Sequence, residues 1–277
     1  PSKRGFAIAI HAIGSNIGES IAPLFVGVLL LTLSWRSVLF VNLIPGIVIA
    51  FVLWKFLFGR LQTRAQAKKA LPLKEYLAGM KKMAQNPSVL LLVLVAGMRS
   101  MTQQGLHTFL PIYLTHDLGL SSAMAGLYLS ITQTAGMIGT PIAGSISDRS
   151  GRKRVLTAGL FSTSIVLFVL AYFQMTWLFI TGLAILGFFL YAVRPVIWAW
   201  VLDLSPKELG GSMVSFFSGS QSLLSSLSPL ICGFIADRWG ILTAFYFLAG
   251  TVLLANLVVL AIREPQPKAP VLVEEIA

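Results

Sequence analysis

The sequence predicts an all-α integral membrane protein in which eight helices cross a bilayer. Three observations predict it. Charged residues make up only 11% of the 277, against about a quarter in a soluble domain, while 56% are hydrophobic and the mean hydropathy is +0.82. Eight apolar runs approach the about 20 residues that a spanning helix needs, near 6–31, 37–58, 88–115, 121–146, 155–173, 177–201, 210–235 and 241–262. The cations collect in alternate gaps between these runs. A net charge of +11 therefore reads as membrane topology and not as a nucleic-acid surface, because no basic face carries interleaved aromatics.

Taken in order, the first two runs (1–58) form one helical pair. Several runs hold Pro or Gly, which membrane helices tolerate where neighbours satisfy the freed backbone groups. The segment 59–87 is the longest gap and carries seven cations. Within it Leu73, Tyr76, Leu77, Met80 and Met83 share one helical face flanked by Lys74, Lys81 and Lys82, which predicts a basic amphipathic helix lying on a leaflet. The six remaining runs fill 88–262 with short connections, so neighbours are antiparallel, and 263–277 is a polar tail. Lys3, Arg4, the 59–87 cations, the four between 147 and 154, Lys207, Arg263 and Lys268 fall on one side; only Arg36 and Arg238 fall on the other. The positive-inside rule places both ends of the chain in the cytoplasm of a multi-pass inner (plasma) membrane protein. Cys232 is the single cysteine and lies in an apolar run, so the sequence offers no disulfide framework. No metal set or cofactor is expected, and no Ser/His/Asp grouping or phosphate loop marks an enzyme.

Between the fourth and fifth runs the chain reads Gly144-Ser-Ile-Ser-Asp148-Arg149-Ser-Gly151-Arg152-Lys153-Arg154. Gly144 would let the helix end approach a neighbour, Asp148 would face the positive end of the next helix, and Gly151 would permit the reversal. The three cations that follow would sit at the headgroup level of an anionic leaflet. This Gly-x-x-x-Asp-Arg-x-Gly-Arg-Lys pattern resembles the cytoplasmic loop motif of the major facilitator superfamily of secondary transporters. The first run holds Gly14-Ser-Asn-Ile-Gly18-Glu19-Ser-Ile-Ala-Pro23-Leu-Phe-Val-Gly27, similar to the helix-five motif of the superfamily's proton-coupled drug exporters. Ala22 and Val26 stand where that motif has glycines. Physically, Gly14, Gly18 and Gly27 offer small surfaces for close helix contact, and Pro23 bends the helix.

An internal repeat supports the same family. A shift of 206 residues sets Gly5 on Gly211, Ser20 on Ser226, Pro23 on Pro229, Leu24 on Leu230 and Gly27 on Gly233, and Trp35 then meets Trp239 after two residues drop out. The resemblance implies two six-helix halves related by an axis along the membrane normal. On that reading the chain corresponds to helices five to twelve of twelve: residues 1–58 end the first half, 59–87 link the halves, and 88–262 form the second.

Polar residues inside apolar runs are expensive, a charge at roughly 2.5–3.5 kcal/mol, and so mark candidate sites. Glu19 is the one carboxylate well inside a run and shares a face with His11 and Ser15. It is either a proton-coupling group or a hydrogen-bonded link between helices held by Asn16 or a neighbour's backbone. Arg99, Gln103 and His107 recur at i, i+4, i+8; His107 is a second proton carrier or a packing residue. Arg194, just before Pro195, either meets an anionic substrate or bonds backbone carbonyls at the proline break. Gln133, Gln221 and Asn256 are lesser candidates for a substrate cavity. Trp198 and Trp200 suit an interfacial belt better than a stacking site.

The resemblance implies a secondary transporter that binds a small organic molecule and protons within the lipid bilayer; its oligomeric state is open, with a monomer expected. Proton-coupled export by alternating access is the first expectation, with the loop residues Gly144, Asp148, Arg149, Gly151, Arg152 and Lys153 as a conformational switch. Uptake of an organic anion or metabolite is the second, and a non-transporting scaffold or sensor of the same fold the third.

Overall fold

The computed structural model describes residues 3–57, 85–172, 176–204 and 210–262. The amphipathic helix expected in 59–87 and the tail therefore lie outside the described residues, as do the side chains of His11, Ser15 and Asn16. Eight long helices are present: α1 (Lys3–Leu29), α2 (Trp35–Leu57), α3 (Pro87–Ile112), α4 (Ser122–Ser150), α5 (Arg152–Tyr172), α6 (Thr176–Asp203), α7 (Gly210–Trp239) and α8 (Ile241–Ala261). Each coincides with one expected run to within about a turn. Among the described residues, five helices combine the length and apolarity of a spanning segment. Helices α4 and α7 do not, because Gly, Ser and Thr replace bulky apolar side chains along them, and Ile17–Leu29 of α1 is a shorter apolar segment.

Local chemistry sets the helix ends. Asn86 caps α3, its side chain accepting from the Ser88 and Val89 amides, with Pro87 at the first position, where no N–H is needed. A single π-helical turn, Tyr113–Asp117, extends α3. Ser121 caps α4 through the Met124 amide. Two reversals require glycine: Gly151 (φ +95°) between α4 and α5, and Gly240 (φ +86°) between α7 and α8.

Helices α3 to α8 form one bundle, in which α4 packs on α6, α3 on α7 and α8, and α5 on α6 and α8. Small residues bring the backbones together. A Cβ on Gly187 of α6 would lie 1.9 Å from the Thr132 carbonyl oxygen of α4, and one on Gly136 would strike the Tyr191 side chain, its Cβ at 2.5 Å and its ring at 2.6–2.7 Å. Two apolar layers fill the interior. One, at the end carrying the α4–α5 turn, includes Leu92, Leu160, Val196, Trp200 and Phe217; the other, at the opposite end, includes Phe109, Tyr113, Leu183, Phe245 and Leu248. Trp200 is buried and Trp198 packs edge-on against Phe217 at 4.7 Å, so these tryptophans serve the core.

The first two helices behave differently. Helix α1 lies along α4, whereas α2 makes no substantial contact with any described helix and exposes nearly every side chain. Its repeat counterpart α8 is held by α3 and α5. The α1–α4 contact also sorts the α1 glycines. A Cβ on Gly27 would lie 2.4 Å from the Ser122 carbonyl oxygen, yet one on Gly14 or Gly18 would meet nothing within 4 Å among the described residues. Gly14 and Gly18 therefore make no close approach to any described helix. At 100° per residue they lie on the opposite side of α1 from Ser20, Pro23, Leu24 and Gly27.

Candidate functional site

Between the two apolar layers α3 crosses a polar band. Arg99 lies ~18 Å along the helix from Pro87, near mid-span. It is 1% exposed, and each of its three guanidinium nitrogens makes a hydrogen bond. Nε and Nη2 donate to the Leu190 carbonyl of α6 at 3.0 and 2.6 Å, Nη1 donates to Gln103 Oε1, and the group lies 5.6 Å from the Tyr191 ring centre. The buried arginine that bonds α6 carbonyls is therefore Arg99, and not Arg194. Arg194 itself is exposed, with no ion pair to any described residue.

Tyr191 links the parts. Its hydroxyl is 2.6 Å from His107 Nε2, and its ring sits on Gly136. The sequence did not single it out, since a tyrosine within an apolar run has no distinctive signature; its one clue was standing three residues, just under one turn, before Arg194. Glu19 of α1 is exposed and within electrostatic range of Arg99, His107 and Tyr191, while Arg194 is within range of Arg99 and Tyr191. The structure thus gathers Glu19, Arg99, Gln103, His107 and Arg194 around a tyrosine. His107, Gln133 and Tyr191 also border a void of about 10 Å³, on the order of one water.

The lesser candidates are engaged or elsewhere. Gln221 of α7 donates to Ser100 Oγ of α3. Asn256 lines a separate groove between α5 and α8. Gln133 donates through Nε2 to the Glu19 backbone carbonyl at 2.7 Å. The cause is Pro23: four residues after Glu19, it has no N–H to return, so that carbonyl needs another donor. One residue on, the Leu24 amide donates to Ser130 Oγ of α4 at 3.1 Å. Two α4 side chains therefore satisfy the groups released by the break in α1. Gln133→Leu should lower the melting temperature by a few degrees, for about 0.6–2 kcal/mol. Pro23→Ala in the same background should restore most of it, because residue 23 then supplies the N–H. Failure of that rescue would separate the proline from the glutamine.

At the basic turn Arg152 is the hub. Its Nη1 contacts Asp148 Oδ1 at 2.5 Å and donates to Ser147 Oγ at 2.7 Å, and its Nε donates to Asp203 Oδ2 of α6 at 3.3 Å. Asp203, 51 residues away in sequence, is a partner that no local pattern revealed. Lys153 Nζ donates to the Leu260 and Ile262 carbonyls at 2.8 and 2.7 Å, capping the end of α8. Arg149 is exposed and forms no ion pair with any described residue. A Cβ on Gly144 would meet nothing within 4 Å among the described residues; at 100° per residue it continues the stripe of α4 that carries Gly126 and Ser130, the side that meets α1. Among the described residues no three His, Cys, Asp or Glu side chains converge as metal ligands.

Comparison with known proteins places these features in context. The sequence profile described as Major Facilitator Superfamily matches residues 1–114 and 92–276. The chain is 26% identical to a hexuronate transporter of Bacillus subtilis, over 96% of this chain and 66% of that protein. It is 32% identical to the multidrug resistance protein MdtG of Klebsiella pneumoniae, over 56% of this chain and 39% of that protein. The chain thus spans less than two thirds of each relative. Its fold superposes on an inward-facing bacterial homologue of the iron transporter ferroportin with a TM-score of 0.69 at 18% identity, covering 95% of this chain and 64% of the other.

Proposed function

This chain belongs to the Major Facilitator Superfamily, and from that premise we propose that it acts in proton-coupled transport of a small carboxylated organic compound by alternating access. The observation that carries the proposal is the polar band at mid-span. One exposed carboxylate (Glu19) and one exposed cation (Arg194) flank an Arg99–Tyr191–His107 group whose own bonds are largely satisfied. Arg99 is buried with every guanidinium nitrogen bonded, so the exposed Arg194 is the cation placed to pair with a substrate carboxylate, by a charge-assisted contact strengthened in low dielectric. Glu19 is the proton carrier: neutral in one state and ionised in the other, it links proton movement to the exchange of states. His107 serves as its neighbour in that exchange. The hexuronate relative, aligned over 96% of this chain, supports an acidic sugar-like substrate.

Reconstituted protein in vesicles with an imposed pH gradient tests the reading. Uptake of a uronic acid driven by an inward proton gradient is the expected result. No movement of uronic acids in either direction would overturn it. The likeness to MdtG over 56% of the chain favours a second reading, proton-driven export of an organic compound. It predicts that substrate leaves against the same gradient.

In either direction the basic turn is the switch. The Asp148–Arg152–Asp203 cluster ties the α4–α5 turn to the end of α6 and must loosen when that end opens. Both carboxylates are more than half exposed, so each pair contributes on the order of 0.2–1 kcal/mol. Asp148→Asn should then change the ratio of inward- to outward-open states by up to about fivefold in cysteine-accessibility labelling. An identical labelling pattern would reduce the motif to a turn.

A further inference from the structure

A groove of about 550 Å³ runs between α5 and α8 at the basic end of the bundle, away from the mid-span site. Its mouth carries Lys153 and Arg154 in the first turn of α5; its wall is formed by Ala158, Phe161 and Leu260. Among the described residues no carboxylate lines it. Asn256 is 5% exposed and faces the groove, yet its Oδ1 has no hydrogen-bond partner among the described residues, and neither has Thr157 Oγ1 beside it. A buried acceptor without a protein donor is expensive, so Asn256 and Thr157 are polar groups that a bound molecule would satisfy. Lys153 already caps α8 but keeps its charge at the rim, and Arg154 is exposed there.

The vertical order of these groups is informative. Along α5, Thr157 is ~5 Å and Phe161 ~10 Å beyond Arg154, and along the antiparallel α8, Asn256 is ~6 Å deeper than Leu260. From the surface inward the groove offers cations, then polar groups seeking partners, then hydrocarbon. We infer that the α5–α8 groove binds one anionic glycerophospholipid bearing headgroup hydroxyls, of the phosphatidylglycerol type. Its phosphate faces Arg154 and Lys153, a headgroup hydroxyl donates to Asn256 Oδ1, the Thr157 hydroxyl donates to a phosphate or ester oxygen, and an acyl chain lies along Phe161. A headgroup lacking a donor leaves Asn256 unsatisfied, and an uncharged or zwitterionic one forgoes part of the rim attraction.

Native mass spectrometry of the detergent-purified protein, titrated separately with phosphatidylglycerol, phosphatidic acid, phosphatidylethanolamine and phosphatidylcholine, tests this. One phosphatidylglycerol should be retained at least about fivefold more tightly than phosphatidylcholine. Arg154→Gln, at an exposed position, should weaken it about fivefold, as one surface cation's attraction implies. Asn256→Leu should erase the preference for phosphatidylglycerol over phosphatidic acid while keeping the preference for anions. Equal retention of phosphatidylglycerol and phosphatidylcholine, tighter binding of phosphatidylethanolamine, or wild-type behaviour of both variants would overturn the inference. So would complete displacement of the lipid by inorganic phosphate at tens of millimolar, which would mark a free-anion site.

Discussion

Glu19→Gln should abolish accumulation driven by a proton gradient while leaving substrate exchange across the membrane within about twofold of wild type. Glutamine keeps the shape and one carbonyl oxygen but cannot gain or lose the proton. The side chain is exposed on α1, so the change leaves no buried group unpaired, and the α1–α4 contact is untouched because Gln133 bonds the Glu19 backbone and not its carboxylate. A loss therefore reports coupling and not folding. One proton moving down one pH unit supports about tenfold accumulation, so the variant's inside-to-outside ratio should fall from that order to unity. Counterflow of labelled substrate, which needs only binding and the exchange of states, should persist. Persistent pH-driven accumulation would remove Glu19 from the mechanism and leave it as a polar residue beside the proline break.

The eight helices were legible because lipid imposes a simple rule: long apolar runs with cations outside them. The turn at Gly151 was legible because a reversal after a long helix needs a residue tolerant of positive φ. What escaped was pairing between distant segments. Arg152 announces a cation but not that Asp203 receives it. Arg99 announces a buried charge, yet its acceptor is a backbone carbonyl on α6, and every residue of the chain has such an oxygen. Gln133 could have been assigned: a proline four residues after Glu19 guarantees an orphaned carbonyl, which predicts a donor from a neighbouring helix. Asn256 could not, because its groove exists only once α5 and α8 lie side by side.

The two arginines should separate stability from recognition. Arg194→Gln should weaken carboxylated substrates about 10–150-fold, the range of a hydrogen bond to a charged group, with no change in melting temperature. Arg194→Lys should recover much of that affinity, because at an exposed position the charge matters more than the fork. Arg99 should behave in the opposite way. Its planar fork spends two N–H groups on the Leu190 carbonyl and a third on Gln103 while the cation rests near the Tyr191 ring. Lysine offers a compact, strongly hydrated ammonium that cannot reproduce this geometry at a site excluding water. Arg99→Lys should therefore cost on the order of 2 kcal/mol, seen as a drop of about 4–8 °C in melting temperature. Simple removal of the charge is a poorer test, since desolvation relief offsets the lost bonds. If Arg194→Gln weakened neutral and carboxylated substrates equally, or melted as early as Arg99→Lys, the exposed cation would belong to the scaffold, and the carboxylate reading would lose its principal support.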